Sequence, residues 1–208
     1  RDVERSRGLG DVYKRQGAID KMIDDVVKKY GRIDILINNA GIQIREWATE
    51  FKVEDFDKVL GVNLRAYYLA ARAAARYMKK QGGGSIVCIS SGNSERYTTR
   101  RSAYNISKAA VNGLVGTLGV EWGRFNIRIN GVAPGYVMTD MVQKGIDEGI
   151  IDVDNIMLVI PMKRFLQPEE IASSVCFLAS DEASGITGQV LFADGGWSRA
   201  GLPEQRDI

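Results

Sequence analysis

The chain has 208 residues, a formal net charge of +2, 45% hydrophobic residues and 26% charged residues. This composition predicts one globular domain with enough chain to bury a core. The small net charge, and the lack of a Lys/Arg stripe with interleaved aromatic residues, argue against a nucleic-acid partner. No apolar stretch approaches the roughly 18 residues of a membrane span and no signal peptide is recognisable, so no membrane partner is expected.

The lack of histidine and the low number of cysteines limit which catalytic and metal-binding groups the chain can use. The chain contains no histidine, which excludes Ser-His-Asp and Cys-His nucleophiles and removes the commonest zinc ligand. The two cysteines, Cys88 and Cys176, lie inside apolar runs and predict reduced core thiols in a cytoplasmic protein, without a metal site. Any catalysis must therefore use Tyr, Lys, Ser, Asn or carboxylate groups.

Apolar runs of strand length alternate with longer helical patterns, which predicts an α/β fold with a parallel sheet. The predicted elements, in chain order, are a helix over 18–30, a strand over 33–38, a helix over 53–80 with a possible break, a strand over 85–90, a helix over 103–124, a strand over 127–133, a helix over 168–180 and a strand over 190–193. Three glycines at 82–84 end the second helix, and Pro168 suits the first turn of the fourth.

Three of the predicted strands end in polar or glycine-containing groups. These groups are Asn38-Asn39-Ala40-Gly41, Ser90-Ser91 and Pro134-Gly135. The carboxyl ends of parallel strands lie at one edge of the sheet, where ligands bind in open α/β folds, so the three groups are predicted to border one site. Asn39 and Gly41 offer a side-chain amide and an unobstructed backbone to a flat or phosphate-bearing ligand, although an ordinary strand-to-loop turn favours the same residue types.

A proton-handling group is predicted at the same edge. Tyr104 and Lys108 are four residues apart near the start of a predicted helix, so they share a helix face, and the ammonium would favour the ionised form of the phenol. Ser91, thirteen residues before Tyr104, ends a predicted strand and is placed to hold a substrate oxygen. The phenol could then act as a general acid or base.

The order and spacing of these groups resemble the short-chain dehydrogenase/reductase family. The motifs that carry the resemblance, between about residues 17 and 197, are Asn38-Asn39-Ala40-Gly41, Asn63, Ser91, Tyr104-x-x-x-Lys108, Pro134-Gly135-Tyr136-Val137-Met138-Thr139 and the closing Phe192-Ala193-Asp194-Gly195-Gly196. The resemblance implies a Rossmann-type doubly wound parallel sheet with helices on both faces. It also implies hydride transfer between NAD or NADP and a carbonyl or secondary alcohol, with the cofactor supplying the redox chemistry.

The resemblance also implies roles for particular residues. Tyr104 would be the general acid in reduction and the general base in oxidation, and Ser91 would orient the substrate oxygen. Lys108 would lower the pKa of the tyrosine and hold the nicotinamide ribose, and Asn63 would position a water in the proton relay. The residues implied for the cofactor are Asn39, Ala40 and Gly41 on the adenosine side and Pro134, Gly135, Val137 and Thr139 around the nicotinamide. A locally bonded Asn63 and a solvated Lys108 are the alternatives.

The first sixteen residues depart from the family pattern. The family opens with a strand, a glycine-rich turn and a helix that receives the pyrophosphate, whereas residues 1–16 contain no strand-like run and Gly8-Leu9-Gly10 precedes no such helix. We therefore interpret 1–16 as a non-family segment, 17–200 as a partial Rossmann domain without its first three strands, and 201–208 as a tail. The strand over 33–38 would be an exposed edge, and we expect weak NAD(P) binding and poor solubility.

The segment between Ser91 and Tyr104 bears on the substrate. Its Arg96, Arg100 and Arg101 could hold a carboxylate or phosphate bidentately, or belong to a solvated loop. Residues 31–43 are similar to gluconate dehydrogenases, and 3-oxoacyl-ACP reductases are also similar, so sugar acids, polyols and 3-oxoacyl groups are the substrate classes considered. By resemblance residues 138–160 form a lid, whose apolar side chains could line a pocket or pack on the core.

Two functions stay open at the level of the sequence. One is an NAD(P)-dependent oxidoreductase with a small-molecule substrate, and the other is a non-catalytic fragment or interaction subunit that keeps the scaffold. The complete catalytic set favours the first, because a scaffold does not need it, and the missing glycine-rich turn favours the second. The resemblance implies a homotetrameric full-length parent, with the helices over 53–80 and 103–124 at a dimer interface.

Overall fold

The computed structural model describes residues 17–201. Its main elements are a helix reaching residue 30 (α1, described over 17–30), β1 (Ile35–Asn38), α2 (Val53–Leu60), a π-helical turn (Gly61–Arg65), α3 (Ala66–Gln81), β2 (Gly84–Ile89), α4 (Ser102–Trp122), β3 (Ile127–Pro134), α5 (Asp140–Asp147), α6 (Val153–Val159), α7 (Pro168–Ala179) and β4 (Val190–Ala193). The interpretations of residues 1–16 and of the tail from 202 onward lie outside the described part.

The four strands of this region form one sheet in the order β1-β2-β3-β4, and every neighbouring pair is parallel. The strands are parallel because each connection between them crosses back to the same end of the sheet, usually through a helix. The α/β fold with a parallel sheet is therefore confirmed, and the predicted strand over 190–193 matches β4 at both ends.

Helices cover both faces of the sheet, as expected for a doubly wound fold. On one face, a buried cluster joins α1, α3 and α4 to the strands through side chains that include Ile23, Met78, Ile86, Val111 and Ile129. On the other face, Val87 and Val132 pack with Leu178 of α7 and with Ala183. The sheet is thus held as a rigid layer whose carboxyl edge is free to carry polar groups.

The first strand begins two residues later than predicted. Ile33 is buried, but its backbone N–H is bonded by the side-chain oxygen of Gln81 at 3.3 Å, and the Gln81 amide donates to the Ile33 carbonyl at 2.7 Å. A side chain from the end of α3 therefore replaces the neighbouring strand at this position. The apolar pattern of the sequence shows that Ile33 is buried but not which group satisfies its backbone.

In the described region β1 pairs only with β2 and forms an edge of the sheet. Ile35 and Ile37 are 50% and 39% exposed, whereas Asn38 at the end of the strand is buried. The expectation of an exposed apolar edge thus holds for the residues described. None of the helices in this part of the chain combines the length and apolar character needed to cross a bilayer.

The long helix predicted over 53–80 has no break. The chain stays helical from α2 through the π-helical turn into α3, and the π turn takes up one extra residue where a break was expected. α3 ends at Gly82, whose φ of 93° is the left-handed conformation that glycine adopts without strain. The helix over 103–124 is also slightly displaced, since α4 begins at Ser102 and its end passes into a 3₁₀ turn over Gly123–Phe125.

Two further predictions are corrected by the structure. Cys176 is exposed on α7 whereas Cys88 is buried, so only one of the two predicted core thiols lies in the core. The segment over 138–160 contains the short helices α5 and α6, and its apolar side chains divide between surface and core. Ile150 and Leu158 are largely exposed, and Ile160 is buried against the turn near Gly195.

Candidate active site

The three polar strand ends meet at the carboxyl edge of the sheet. Because the strands are parallel, the chain after β1, β2 and β3 leaves the sheet on the same side. Ser91 is the second residue after β2, and α4 begins eleven residues later, packs on β3 and reaches the end of β2 through Lys108. The edge therefore brings together the loop after β1, the loop after β2, the first turns of α4 and the turn after β3.

Tyr104 and Lys108 lie in the first two turns of α4, as predicted. The Lys108 Nζ atom lies 5.8 Å from the centre of the Tyr104 ring and 5.4 Å from the centre of the Tyr67 ring. Its ammonium donates one hydrogen bond of 2.6 Å to the carbonyl of Ile89 at the end of β2. The lysine is therefore fixed between two phenols, and the alternative of a solvated surface charge is wrong.

Burial sets the protonation of this group. Lys108 is 2% exposed, and desolvation lowers the pKa of its ammonium from 10.5 to about 8. Only one of its three N–H groups has an acceptor among the described residues. Two donors thus remain for a ligand.

The two phenols beside Lys108 differ in environment. Tyr67 is buried, its hydroxyl donates to the Ile89 carbonyl at 3.5 Å, and burial raises its pKa. Tyr104 is partly exposed, and its phenol oxygen has no hydrogen-bond partner within residues 17–201. Tyr67 therefore stays protonated and packed, whereas Tyr104 is the phenol that a substrate can reach. No sequence motif distinguishes Tyr67.

Ser91 is held against α4 by its neighbours. Its Oγ accepts the Asn93 backbone N–H at 3.1 Å and caps the 3₁₀ turn over Gly92–Ser94. On the preceding side, the Ser90 hydroxyl lies 3.2 Å from the Lys108 carbonyl and 2.6 Å from the Asn112 Oδ1 atom. Because the Ser91 oxygen already accepts one bond, its own O–H is available as a donor toward the cleft.

Asn63 connects the loop after β1 to α4. Its Oδ1 accepts the Ile42 N–H at 2.8 Å, and its Nδ2 donates to the Ile42 carbonyl and to the Ser107 Oγ, both at 3.0 Å. The Ser107 hydroxyl in turn donates to the Tyr104 carbonyl at 2.7 Å. The side chain is fully buried and bonds residues distant in sequence, so the alternative of a locally bonded helix residue is wrong.

The loop after β1 forms an exposed shelf beside Lys108. Asn39, Ala40 and Gly41 are exposed, unlike Asn38, whose amide points inward to the Tyr67 carbonyl and the Cys88 sulfur. A Cβ atom placed on Gly41 would lie 3.6 Å from both the Asn63 Oδ1 and the Lys108 Nζ. Those two polar atoms therefore border one space above the Gly41 backbone.

The turn after β3 forms the opposite side of the cleft. A Cβ atom on Gly135 would lie 2.7 Å from the Cα of Asp194, so glycine is required for the two strand ends to approach. Val137 pairs with Leu166 in an isolated bridge, and the Thr139 hydroxyl oxygen accepts the Val142 N–H at 3.3 Å as the cap of α5. Pro134 and Gly135 thus lie at the strand end as predicted, and Thr139 has a capping role that the sequence did not reveal.

A buried amide network supports the loop after β2, and motif spacing did not predict it. The Asn93 amide donates to the Thr98 hydroxyl at 2.9 Å and to the Asn105 side chain at 3.0 Å, and Asn105 donates to the Thr98 carbonyl at 2.9 Å. Asn105 directly follows Tyr104, so this network fixes the first turn of α4 to the loop. The available signal was the cluster of Asn and Thr residues in an otherwise charged segment.

The three arginines of this loop do not share one role. The Arg96 guanidinium donates to the carbonyls of Trp197 and Ala200, and Arg100 stacks 5.6 Å from the centre of the exposed Trp47 ring. The prediction that all three could hold one anionic group is therefore wrong for Arg96, whose donors hold the C-terminal turn, and for Arg100, which turns outward. Arg101 alone faces Tyr104 and Tyr136.

The residues at this edge fit a nicotinamide dinucleotide. An exposed backbone shelf at Asn39–Gly41, a buried ammonium with two unused donors and a glycine at the end of β3 match the chemistry of a flat ligand with ribose hydroxyls. In the described residues no cluster of Cys, Asp and Glu side chains is placed to hold a metal ion.

Comparison with known proteins agrees with this geometry. The family model described as "Enoyl-(Acyl carrier protein) reductase" matches residues 10–198. The chain is 42% identical over 178 residues to the 3-oxoacyl-(acyl-carrier-protein) reductase FabG of Thermotoga maritima, which covers 86% of this chain and 71% of that relative. It is 37% identical over 195 residues to the gluconate 5-dehydrogenase of Gluconobacter oxydans, covering 93% of this chain and 75% of the relative.

Solved structures show the same similarity. A gluconate 5-dehydrogenase from Burkholderia cenocepacia, in complex with NADP and tartrate, superposes with a TM-score of 0.83 at 35% identity and covers 88% of this chain and 71% of its own. The aldohexose dehydrogenase of Thermoplasma acidophilum superposes with a TM-score of 0.85 at 34% identity, covering 92% of this chain and 78% of its own.

Proposed function

Because the chain belongs to the short-chain dehydrogenase/reductase family and is thus an NAD- or NADP-dependent oxidoreductase, we propose that Tyr104 is its proton donor and acceptor. The observation that carries this proposal is the contrast between the two phenols beside Lys108. Tyr67 is buried and bonded, whereas Tyr104 is partly exposed and its oxygen has no hydrogen-bond partner among the described residues. The accessible phenol next to a buried ammonium is the group suited to general acid–base chemistry.

The proposed reaction interconverts a secondary alcohol and a ketone. In oxidation, the Tyr104 phenolate takes the proton of the substrate hydroxyl. The nicotinamide, when bound, would supply the redox chemistry as the acceptor of the hydride of the carbinol carbon. In reduction, the Tyr104 phenol returns a proton to the carbonyl oxygen. The Ser91 O–H, whose oxygen already accepts the Asn93 N–H, donates to the substrate oxygen and holds it at the phenol.

Lys108 and Asn63 support this step from the cofactor side. We assign the two unused Lys108 donors to the nicotinamide ribose hydroxyls, and its positive charge lies beside the Tyr104 ring. Asn63 is proposed to hold a relay water in the space above Gly41, which the Asn63 Oδ1 and the Lys108 Nζ both border. The bonds of Asn63 to Ile42 and Ser107 keep this space open.

The remaining contacts of the cofactor are proposed along the two loops of the cleft. Asn39, Ala40 and Gly41 support the adenosine side because they form the exposed shelf after β1. The residues after β3 face the nicotinamide side; they are Pro134, Gly135, Val137 and Thr139. The substrate is proposed to be a sugar acid, a polyol or a 3-oxoacyl group, in keeping with the gluconate 5-dehydrogenases and the 3-oxoacyl reductase to which the chain is similar.

We also propose that the protein works in the cytoplasm as a homotetramer. Two observations support an assembly through α3 and α4. Tyr68 and Ile106 are more than two-fifths exposed, and Val120 is 86% exposed, although all three are large apolar side chains on these helices. Large apolar side chains left exposed on helices are typical of an interface between subunits.

Turnover of alcohols tests the proposed function. We expect substrate-dependent reduction of NAD⁺ or NADP⁺ with hydroxy acids, polyols or 3-hydroxyacyl thioesters, followed by the absorbance of the reduced nicotinamide. The 208-residue protein is compared with a chimera in which residues 1–16 are replaced by the N-terminal segment of the Thermotoga maritima reductase, because weak cofactor affinity is expected from the sequence of 1–16. Cofactor binding by the chimera with no turnover of any substrate would favour the non-catalytic alternative.

A further inference from the structure

Arg101 is a cation at the mouth of the proposed active site that has no carboxylate partner in the described part of the chain. It immediately precedes α4, three residues before Tyr104, and is only partly exposed. The Asn105 N–H bonds its carbonyl at 2.8 Å, which fixes its backbone at the first turn of the helix. Its guanidinium hydrogen-bonds the Tyr136 side chain, interacts electrostatically with the Tyr104 phenol and forms no ion pair within residues 17–201.

A second arginine approaches it from the loop after β1. Glu46 and Arg101 form an isolated parallel bridge, and the Glu46 N–H donates to the Arg100 carbonyl at 3.1 Å. This backbone contact brings Arg45, the residue before Glu46, close enough to Arg101 for the two positive charges to interact. Arg45 is exposed and also has no ion pair within the described residues.

The electrostatics of the pair are unfavourable without a ligand. Burial lowers the pKa of Arg101, and the positive charge of Arg45 lowers it further. Glu46 does not compensate this charge, because its carboxylate oxygen accepts the Trp47 N–H at 2.8 Å and forms no ion pair with either arginine. Two like charges held together without a carboxylate are typical of a site whose anion comes from the ligand.

The surrounding groups form a wall for such a ligand. Tyr136 packs edge-on against Trp197, with ring centres 5.0 Å apart, and against Phe165 at 6.1 Å. This packing holds the Tyr136 ring beside Arg101. Arg96 does not compete for the anion, because its donors are used by the Trp197 and Ala200 carbonyls.

We propose that Arg101 and Arg45 bind a carboxylate of the substrate, so that the substrate is a hydroxy acid or its oxo acid. This inference rests on the proposed function, because it places the carboxylate relative to a carbinol carbon held at Tyr104 and Ser91. A planar guanidinium binds a carboxylate through two parallel hydrogen bonds, which fixes orientation as well as charge. A neutral polyol offers nothing to this pair, so the carboxylate selects among the substrate classes considered.

Equilibrium binding tests the carboxylate site without requiring turnover. Isothermal titration calorimetry on the 208-residue protein compares D-gluconate with D-glucitol, and 3-hydroxybutyrate with butane-1,3-diol, so that each acid has a neutral counterpart. The variant Arg101→Met removes the inner guanidinium, and Arg100→Met is the matched control, since it removes a neighbouring arginine of the same loop that stacks on Trp47. Circular dichroism is used to check that both variants fold.

We expect at least one acid to bind more tightly than its neutral counterpart, and Arg101→Met to weaken that binding about 10- to 100-fold. Arg100→Met should change it less than about twofold, because an exposed side chain far from the ligand contributes little. Equal affinity for acids and neutral counterparts, or equal losses in the two variants, would overturn the carboxylate site. Such a result would leave turnover of neutral alcohols intact, whereas failure of the proposed function removes turnover of every substrate and leaves acid binding in place.

Discussion

Replacing Tyr104 by Phe is expected to lower kcat by about 10²- to 10⁴-fold, which is the usual contribution of a general acid or base. The substitution removes only the phenol oxygen, which has no hydrogen-bond partner in the described part of the chain. The ring and its place beside Lys108 are kept. Cofactor affinity and the free energy of unfolding should therefore stay close to those of the unsubstituted protein.

The matched control is Tyr97→Phe, which removes a phenol oxygen from a residue that is 67% exposed on the loop before α4. We expect it to turn over at the unsubstituted rate. Steady-state kinetics give kcat for both variants, and fluorescence titration gives their cofactor affinity. Both substitutions are made in the 208-residue protein or in the chimera, according to which of the two turns over substrate. Unchanged turnover in Tyr104→Phe would show that another group moves the proton.

Replacing Lys108 by Met is expected to abolish turnover and to stabilise the fold at neutral pH. The pKa of Lys108 is about 8 in the folded protein and its ordinary value is 10.5. Below pH 8 the ammonium is therefore charged in both the folded and the unfolded protein, and burying the charge destabilises the folded state by its full cost. At ~1.4 kcal/mol per pKa unit, that cost is about 3 kcal/mol. Loss of the bond to the Ile89 carbonyl offsets about 1 kcal/mol, which leaves a gain of about 2 kcal/mol.

The lowered pKa of Lys108 also determines how the stability of the fold depends on pH. Between pH 8 and 10.5 the unfolded chain keeps the Lys108 proton while the folded chain releases it, so the stability contributed by this group rises with pH over that window. In Lys108→Met this rise should be absent, whereas the exposed control Lys21→Met should keep it. Urea unfolding at a series of pH values measures both. If Lys108→Met is less stable than the unsubstituted protein at pH 7, the buried ammonium does not destabilise the fold.

Loss of turnover in Lys108→Met has a cause separate from stability. The variant removes the positive charge beside Tyr104 and the donors assigned to the ribose, so both kcat and cofactor affinity should fall. Turnover in the parent should also decline above pH 8, where Lys108 loses its proton. A variant that is more stable but inactive is the expected combination, since functional charges in low-dielectric sites are typically held against stability.

Much of the fold and the position of the site followed from the sequence. Alternating strand-length and helix-length patterns predicted all four strands that the structure describes, because apolar periodicity reports burial directly. The three strand ends met at one edge because parallel topology allows no other arrangement. Tyr104 and Lys108 came together because a spacing of four on a helix is a geometric constraint.

What the sequence did not show depends on contacts between distant side chains. Gln81 ends the first strand early by bonding Ile33, and no local pattern signals that bond. Arg96, Arg100 and Arg101 are not distinguished by their sequence context, but their tertiary contacts differ. Arg96 binds backbone carbonyls, Arg100 stacks on an indole ring and Arg101 lies at the cleft. Cys176 sits in an apolar run on the outer side of α7, where helix rotation rather than composition decides exposure.

Isotope transfer is the most direct measurement of the proposed chemistry. A secondary alcohol that carries deuterium on its carbinol carbon is incubated with oxidised cofactor and the enzyme, and the reduced nicotinamide is examined by mass spectrometry. Direct hydride transfer at the Ser91, Tyr104 and Lys108 cleft predicts one deuterium in the reduced cofactor, formed about 10²- to 10⁴-fold more slowly when Tyr104 is replaced by Phe. Reduced cofactor without deuterium would contradict the transfer, and formation of labelled cofactor at an unchanged rate in Tyr104→Phe would contradict the assignment of the proton-handling residue.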